Sequence, residues 1–372
     1  DDLPPVAQQA GVVSIQAAQS VPALCVVEGS SQGPHGVFFK FEVVENQRLA
    51  FEVLTHAIES KMDPVVRLYD QDGRVLLLAD DDEIGPECRF SYQFSTAVMY
   101  WIEVRDNRYT SGLPYLLRIG DFPIVRNAQP LALTAENVTT VAFAGQDGAA
   151  SLQQSIELPQ SLSNRVTTVA TRLEDGKSSA WVPILVSGKP VYQEDEAAAD
   201  TSSLKPLNYP LIIAGRLREP GERDRYPIQG VQGTTVRFTA RERSLGCPTT
   251  LSMLLLNDAG AQVAQSQVAD SDEWSFDFAF PDGRVYHFEV TDLLGRGGTD
   301  FGYLGEVTPA GSFAMNLKPD AAVRQRFDVE SGQGAFAIDL QLQRFGYAGA
   351  IDLALVGSPP GLRIVNPRIA AG

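Results

Sequence analysis

Five residues near the amino terminus, Gly29-Ser30-Ser31-Gln32-Gly33, spell the Gly-x-Ser-x-Gly pattern of a hydrolase nucleophile elbow. Such an elbow needs a strand before the serine and a helix after it, so that the hydroxyl stands exposed on a strained turn. Here Pro34 follows and a strand-like run begins, which reads as a plain polar turn. The histidines are His35, His56 and His287, none in a metalloprotease spacing and none tied by motif to a serine or cysteine. The residue pattern therefore holds no catalytic constellation, and the chain is expected not to be an enzyme.

Carboxylates offer a second chemistry. Asp80-Asp81-Asp82-Glu83, with Glu87 close behind, is the densest acidic run. It reads either as a solvated loop or as a calcium site, since calcium takes about six to eight hard oxygen ligands. Asp106, at the end of the run that carries Trp101, is a further candidate ligand. Asp70-Gln71-Asp72-Gly73 opens like a calcium loop but lacks the later bidentate glutamate, which favours an Asp-Gly hairpin turn. Trp101 is informative through parity: if Tyr100, Ile102 and Val104 face a core, then Trp101, Glu103 and Arg105 face the other way. An outward tryptophan is a stacking platform for a sugar or a patch against another module.

These residues must be positioned by strands. Period-two alternation dominates, as in Phe39-Lys40-Phe41-Glu42-Val43 and Leu49-Ala50-Phe51-Glu52-Val53, each bounded by turn residues. No convincing amphipathic helix interrupts it, so the fold class is all-β, with tandem β-sandwich modules. The pattern also repeats. Leu68-Tyr69-Asp70-Gln71-Asp72-Gly73 returns as Leu255-Leu256-Asn257-Asp258-Ala259-Gly260, and Met99 to Asp106 returns as Val285 to Asp292. Phe39 to Tyr226, Gly73 to Gly260 and Tyr100 to Tyr286 are separated by 187, 187 and 186 residues. Two copies of one module are expected, at about 25–122 and 210–308. An N-terminal segment (1–24) precedes them, an Ig-like domain with an acidic linker (123–209) separates them, and a partial Ig-like domain (309–372) follows.

Composition limits the partners. With 46 acidic against 30 basic residues the net charge is −16. Nucleic acid and anionic lipid are repelled, whereas cations, extracellular proteins and polysaccharides are not. No apolar run approaches the length of a transmembrane segment. Cys25, Cys88 and Cys247 are too few for a disulfide framework and read as buried thiols, with a Cys25–Cys88 bridge as the alternative in an oxidising compartment.

The modules resemble the bacterial pre-peptidase C-terminal domain family. The second copy carries the family's start, Gly215 to Tyr226, including Pro220-Gly221-Glu222-Arg223-Asp224-Arg225-Tyr226. The first carries the middle and end, in Asp63-Pro64-Val65-Val66-Arg67-Leu68-Tyr69-Asp70, Ala79 to Asp82 and Tyr100 to Asp106, but has Gly33-Pro34-His35-Gly36 where the acidic start belongs. The alternation with an Ig-like unit looks like that of large secreted proteins of planctomycete-type bacteria. The resemblance implies a jelly-roll-like sandwich appended to secreted peptidases or surface proteins, with similar collagenase modules binding calcium and collagen, and no catalytic residues. The expected role is a non-catalytic binding, adhesion or spacing scaffold, secreted, at the cell surface or periplasmic, packed against other modules of a longer parent. A targeting appendage of a larger secreted hydrolase and a subunit of a surface layer or filament are the alternatives.

Overall fold

The computed structural model describes residues 3–80, 87–145, 152–174, 176–194, 204–266 and 274–317, and in the C-terminal part 340–345, 347, 349–355, 361 and 363–371. Among these residues the regular structure is strand, apart from single 3-10 turns.

The first sandwich is built from β1 (Pro5–Ala7), β2 (Gln19–Ser20), β3 (Cys25–Gln32), β4 (Val37–Glu42), β5 (Arg48–Leu54), β6 (Pro64–Tyr69), β7 (Val75–Asp80), β8 (Cys88–Gln93), β9 (Met99–Asp106) and β10 (Ser111–Gly120). They form two five-stranded sheets, ordered β1-β3-β10-β5-β8 and β2-β4-β9-β6-β7. Alternation decides what goes inside: Phe39 and Phe41 of β4, Phe51 of β5 and Ile102 and Val104 of β9 meet in one core between the sheets. Phe51 stacks on Phe90 at 4.9 Å and Phe41 lies 5.7 Å away, so large rings from both sheets close the layer. The Asp-Gly turn forms as its residues dictate. Asp70 Oδ1 accepts the Asp72 and Arg74 amides, and Gly73 takes a φ of +75°.

A middle module follows, with β11 (Val125–Gln129), β12 (Ala132–Thr134), β13 (Thr139–Gly145), β14 (Leu152–Ile156), β15 (Arg165–Val169) and β16 (Val182–Ser187) in two three-stranded sheets. The second sandwich comprises β17 (Val191–Gln193), β18 (Leu211–Arg216), β19 (Asp224–Gln229), β20 (Thr235–Arg241), β21 (Leu251–Leu256), β22 (Gln262–Gln265), β23 (Ser275–Ala279), β24 (Val285–Asp292) and β25 (Gly302–Pro309). Its sheets, β17-β18-β25-β20-β23 and β19-β24-β21-β22, repeat the strand order of the first. Beyond it, β26 (Ser312–Leu317) pairs with β27 (Leu340–Phe345) and β28 (Ile351–Asp352) with β29 (Arg368–Ile369).

Strand pairing moves two boundaries. The alternation begins the first copy at 25 and the second at 210, but β1 lies parallel to β3 and β17 parallel to β18. Gln8 Oε1 accepts the Ser30 amide just as Glu194 Oε2 accepts the Arg216 amide, and the Val21 amide donates to Lys40 O just as the Leu207 amide donates to Pro227 O. Part of the stretch read as an N-terminal segment, and part of that read as linker, thus belong to sheets. Each sandwich also holds a tyrosine directly opposite a glycine: Tyr115 opposite Gly29, Tyr303 opposite Gly215. A Cβ on Gly29 would sit 2.7 Å from Tyr115 Cζ, and one on Gly215 would sit 2.5 Å from Tyr303 Cζ. Gly29→Ala and Gly215→Ala are each expected to cost about 1–3 kcal/mol of stability by overpacking, read from thermal melts.

Both sandwiches grip the middle module with the same sheet. In the first, Ala50 of β5 joins Phe122, Ile124, Leu133 and Ile184 in one apolar cluster. At its border lies a buried charge cluster. Glu52 accepts from Arg89 Nε at 3.0 Å, from Arg118, and from the Trp181 amide of the middle module at 2.8 Å, while Arg118 donates to Ser178 O and Ser179 O at 3.2 Å each. In the second, Ile212, Ala214, Leu245 and Leu304 pack on Leu131, Ala132 and Leu185. Arg118 lies across from Val26 and Glu52, and Glu306 lies across from Ile212 and Thr239, so the two hold equivalent places. Glu306 pairs with Lys189 of the middle module, and Asp300 pairs with Arg126 at 2.6 Å. What remains is the opposite sheet of each sandwich.

Candidate binding face of the first sandwich

The outer face of β2-β4-β9-β6-β7 is a grid of side chains fixed by register. Lys40, Trp101 and Tyr69 form one row across β4, β9 and β6; Phe38, Glu103, Arg67 and Leu78 form the next; Arg105, Val65 and Asp80 form a third. Parity places Trp101, Glu103 and Arg105 outward, as the alternation predicts, with Tyr100, Ile102 and Val104 in the core. Because β9 is the central strand of this sheet, its backbone groups are spent on both neighbours and only side chains are offered.

Glu103 is the centre of the grid, buried beneath its neighbours. Its Oε2 accepts from Tyr69 Oη at 2.5 Å and from Arg67 at 3.3 Å. Gly36 makes this possible, since a Cβ there would stand 2.6 Å from Glu103 Cδ. That gives the departure Gly33-Pro34-His35-Gly36 a physical reason. Burial and the bond to Glu103 push the Tyr69 hydroxyl up to about 12, so it stays a donor to the carboxylate through the physiological range. Phe38 lies 6.1 Å from Tyr69 at a 42° tilt, and the Arg105 guanidinium lies 5.3 Å from the Tyr109 ring centre. Two donors on this face are shielded yet have no acceptor, Trp101 Nε1 and Arg105 Nε. A buried donor left unbonded costs on the order of 1–3 kcal/mol, which an acceptor would relieve once the side chain turns toward it.

The second sandwich keeps the carboxylate and loses the aromatics. Its rows are Pro227, His287 and Leu256, then Arg225, Glu289 and Leu254. Glu289 is buried and bonded to Arg225 Nε at 2.6 Å and to Arg223 at 3.2 Å. Arg223 occupies the place of Gly36, so the arginine partner has moved from β6 to the other neighbour of the central strand. Sequence parity turned Trp101, Glu103 and Arg105 outward but gave Glu103 no role and did not find Arg67, Tyr69 and Gly36. The available signal was the recurrence of a glutamate at one outward position, Glu103 and Glu289, in otherwise different strands.

Of the expected calcium ligands, Asp80, Glu87 and Asp106 come to one end of this sandwich, around Pro64 and Val65. Glu87 is buried and its two oxygens accept from the Thr55 amide, Thr55 Oγ1 and the Ala57 amide. Asp106 likewise caps loops by accepting the Asp63 and Thr110 amides. Backbone donors thus already occupy Glu87 and Asp106, and no group of three metal-binding side chains forms among the described residues. Asp81, Asp82 and Glu83 lie outside them. Ser31 is buried on β3, donates to Thr110 O and accepts the Leu113 amide, with strand β4 rather than a helix after it. All three cysteines are free and buried, so no Cys25–Cys88 bridge forms; burial raises the Cys25 thiol to about 11.

The second sandwich holds a different polar cluster inside. Asp224 takes the place of the core residue Val37, accepts from Tyr303 Oη at 2.5 Å, and Tyr303 Oη lies 2.6 Å from Tyr226 Oη. Burial, then the nearby charge of Glu194, push Asp224 up to about 7.

No family model matches the chain, and no curated protein does. Solved structures similar to it include the pre-peptidase C-terminal domain of a collagenase from Bacillus anthracis, at 14% identity over 27% of this chain and 93% of that one, TM-score 0.24. Others are the tandem CBM22-1–CBM22-2 domain of Paenibacillus barcinonensis Xyn10C, at 10% identity over 76% and 91% of the two chains, TM-score 0.18, and the M60 catalytic domain with CBM51-1 and CBM51-2 of Clostridium perfringens ZmpB, at 10% identity over 74% and 34%, TM-score 0.20. The chain is an all-β protein of tandem sandwich modules, and none of its described helices is long and apolar enough to cross a membrane.

Proposed function

We propose that this chain is a non-catalytic binding scaffold of an exported bacterial protein. Its two sandwiches are copies of one pre-peptidase C-terminal-type module, held by the middle module, and the Trp101 face of the first is the ligand surface. The observation that carries this reading is the use of the same sheet in both sandwiches to grip the middle module. The interior of the assembly is thereby assigned to one sheet, and a tryptophan set among charged side chains is left on the other. A protein that needed only a spacer would have no use for a tryptophan on that outward face.

The test is binding of the full chain to a panel of extracellular polymers, neutral and acidic polysaccharides and gelatin, alongside Trp101→Ala and His287→Ala. Whichever polymer is bound, Trp101→Ala is expected to lose it and His287→Ala to keep it, with no product released by hydrolysis. Binding that survives in Trp101→Ala, or hydrolysis of any member of the panel, would overturn the reading.

A further inference from the structure

We infer that the ligand of the Trp101 face is a neutral polysaccharide, an inference that rests on the reading of this face as the binding surface. Three observations narrow the class. First, the face offers planes and hydrogen-bonding groups side by side: Trp101 and Phe38, both half-buried, supply rings over the buried Tyr69, and Lys40, Arg67, Arg105 and Glu103 surround them. A pyranose ring has an apolar C–H face that lies flat on an aromatic ring and hydroxyls at its edge that both donate and accept.

Second, the spare bonding capacity has both signs. Trp101 Nε1 and Arg105 Nε lack acceptors, while Glu103 Oε1 receives no bond from the described residues, Tyr69 and Arg67 both being bound to Oε2. Sugar hydroxyls match that mixture, because each can donate a hydrogen bond to the carboxylate and accept one from an N–H. A peptide would seek backbone pairing at a sheet edge, and these rows sit on the central strand and its two neighbours, whose edges are taken.

Third, charge argues against a charged polymer. The cations Lys40, Arg67 and Arg105 stand close to the anions Glu103 and Asp80, with Glu103 already paired. Around this near-balanced patch the chain carries −16, a field that opposes an acidic polysaccharide. The second sandwich is a built-in control. It keeps Glu289 with Arg223 and Arg225 but presents His287, Pro227 and Leu256 in place of the aromatic row, and so is not expected to bind.

Affinity electrophoresis of the full chain through gels containing hydroxyethylcellulose, xyloglucan, polygalacturonate or gelatin tests this, with melts confirming that each variant is folded. Retardation is expected in at least one neutral polysaccharide. It should be unchanged between low and high salt, reduced at least about tenfold in affinity by Trp101→Ala, reduced less by Trp101→Phe, which keeps a ring but not the indole N–H, and reduced several-fold by Glu103→Gln. Retardation through Trp101 in polygalacturonate or gelatin alone would sink the neutral-glycan assignment while leaving the binding face standing. Should Trp101→Ala behave as the wild type in every gel, both readings fail together.

Discussion

Replacing Glu52 with alanine is expected to cost about 3–5 kcal/mol of stability and to loosen the first sandwich from the middle module. The magnitude follows from what stays behind. Glu52 and Arg118 are both essentially excluded from solvent, with side-chain exposures of 0% and 2%, and Arg89 is nearly so. Removing the carboxylate takes from two guanidinium groups in a poorly solvating border the anion they share, and leaves the Trp181 amide without its acceptor. Glu52→Gln keeps an acceptor for that amide but not the charge, and should fall between the wild type and alanine. Thermal and denaturant melts measure this, and a loss under about 1 kcal/mol for Glu52→Ala would show that the cluster does not hold the junction.

The second large effect is a pH dependence located in the second sandwich. Asp224 is raised from 3.8 to about 7 by burial and by Glu194. With the folded value above the unfolded one, the unfolded chain releases its proton first as pH rises. Stability contributed by the protonated form is therefore fully present below about pH 4 and is lost as pH climbs to about 7. A shift of this size corresponds to about 4 kcal/mol. Asp224→Asn keeps an acceptor for Tyr303 Oη and has no charge to bury. The variant is expected to melt several degrees above wild type at pH 8, and at or below it at pH 4. Parallel melting curves for the two proteins across pH 4–8 would refute the assignment.

Much of the fold was legible because β-strands write their exposure into the sequence at every second residue. Phe39 and Phe41, and Tyr100, Ile102 and Val104, could be placed inside from alternation, and the repeat followed from turns such as Asp70 to Gly73 and Asn257 to Gly260. β1 and β17 were not legible, because each is three residues long and is defined by parallel pairing to a distant partner rather than by a pattern of its own. The candidate binding face was half legible: parity turned Trp101 outward, but the bonds of Glu103 depend on Arg67 and Tyr69, more than thirty residues earlier. Asp224 breaks the alternation from the other side, as a carboxylic acid at a core position, and only the tyrosines across the core explain it. The junctions lay beyond reach, since nothing local distinguishes Ala50, Ile212 or Leu304 from residues of an ordinary exposed sheet face.

Hydroxyl-radical footprinting of the full chain, read residue by residue by mass spectrometry, tests most directly which sheets are free. Ile212, Leu245 and Leu304 face outward from their own sandwich and are buried only by the middle module, so they should react as slowly as the core residue Phe238. Val75, Leu78 and Tyr109, about the Trp101 face, are half or more exposed and should react fast. The account predicts that contrast in the free chain, with protection of Trp101 and Leu78 added when ligand is present. Fast oxidation of Ile212 and Leu304 with a protected Trp101 face in the free chain would contradict it, by showing that the sheet assigned to ligand is the one that packs and the sheet assigned to packing is the one that is free.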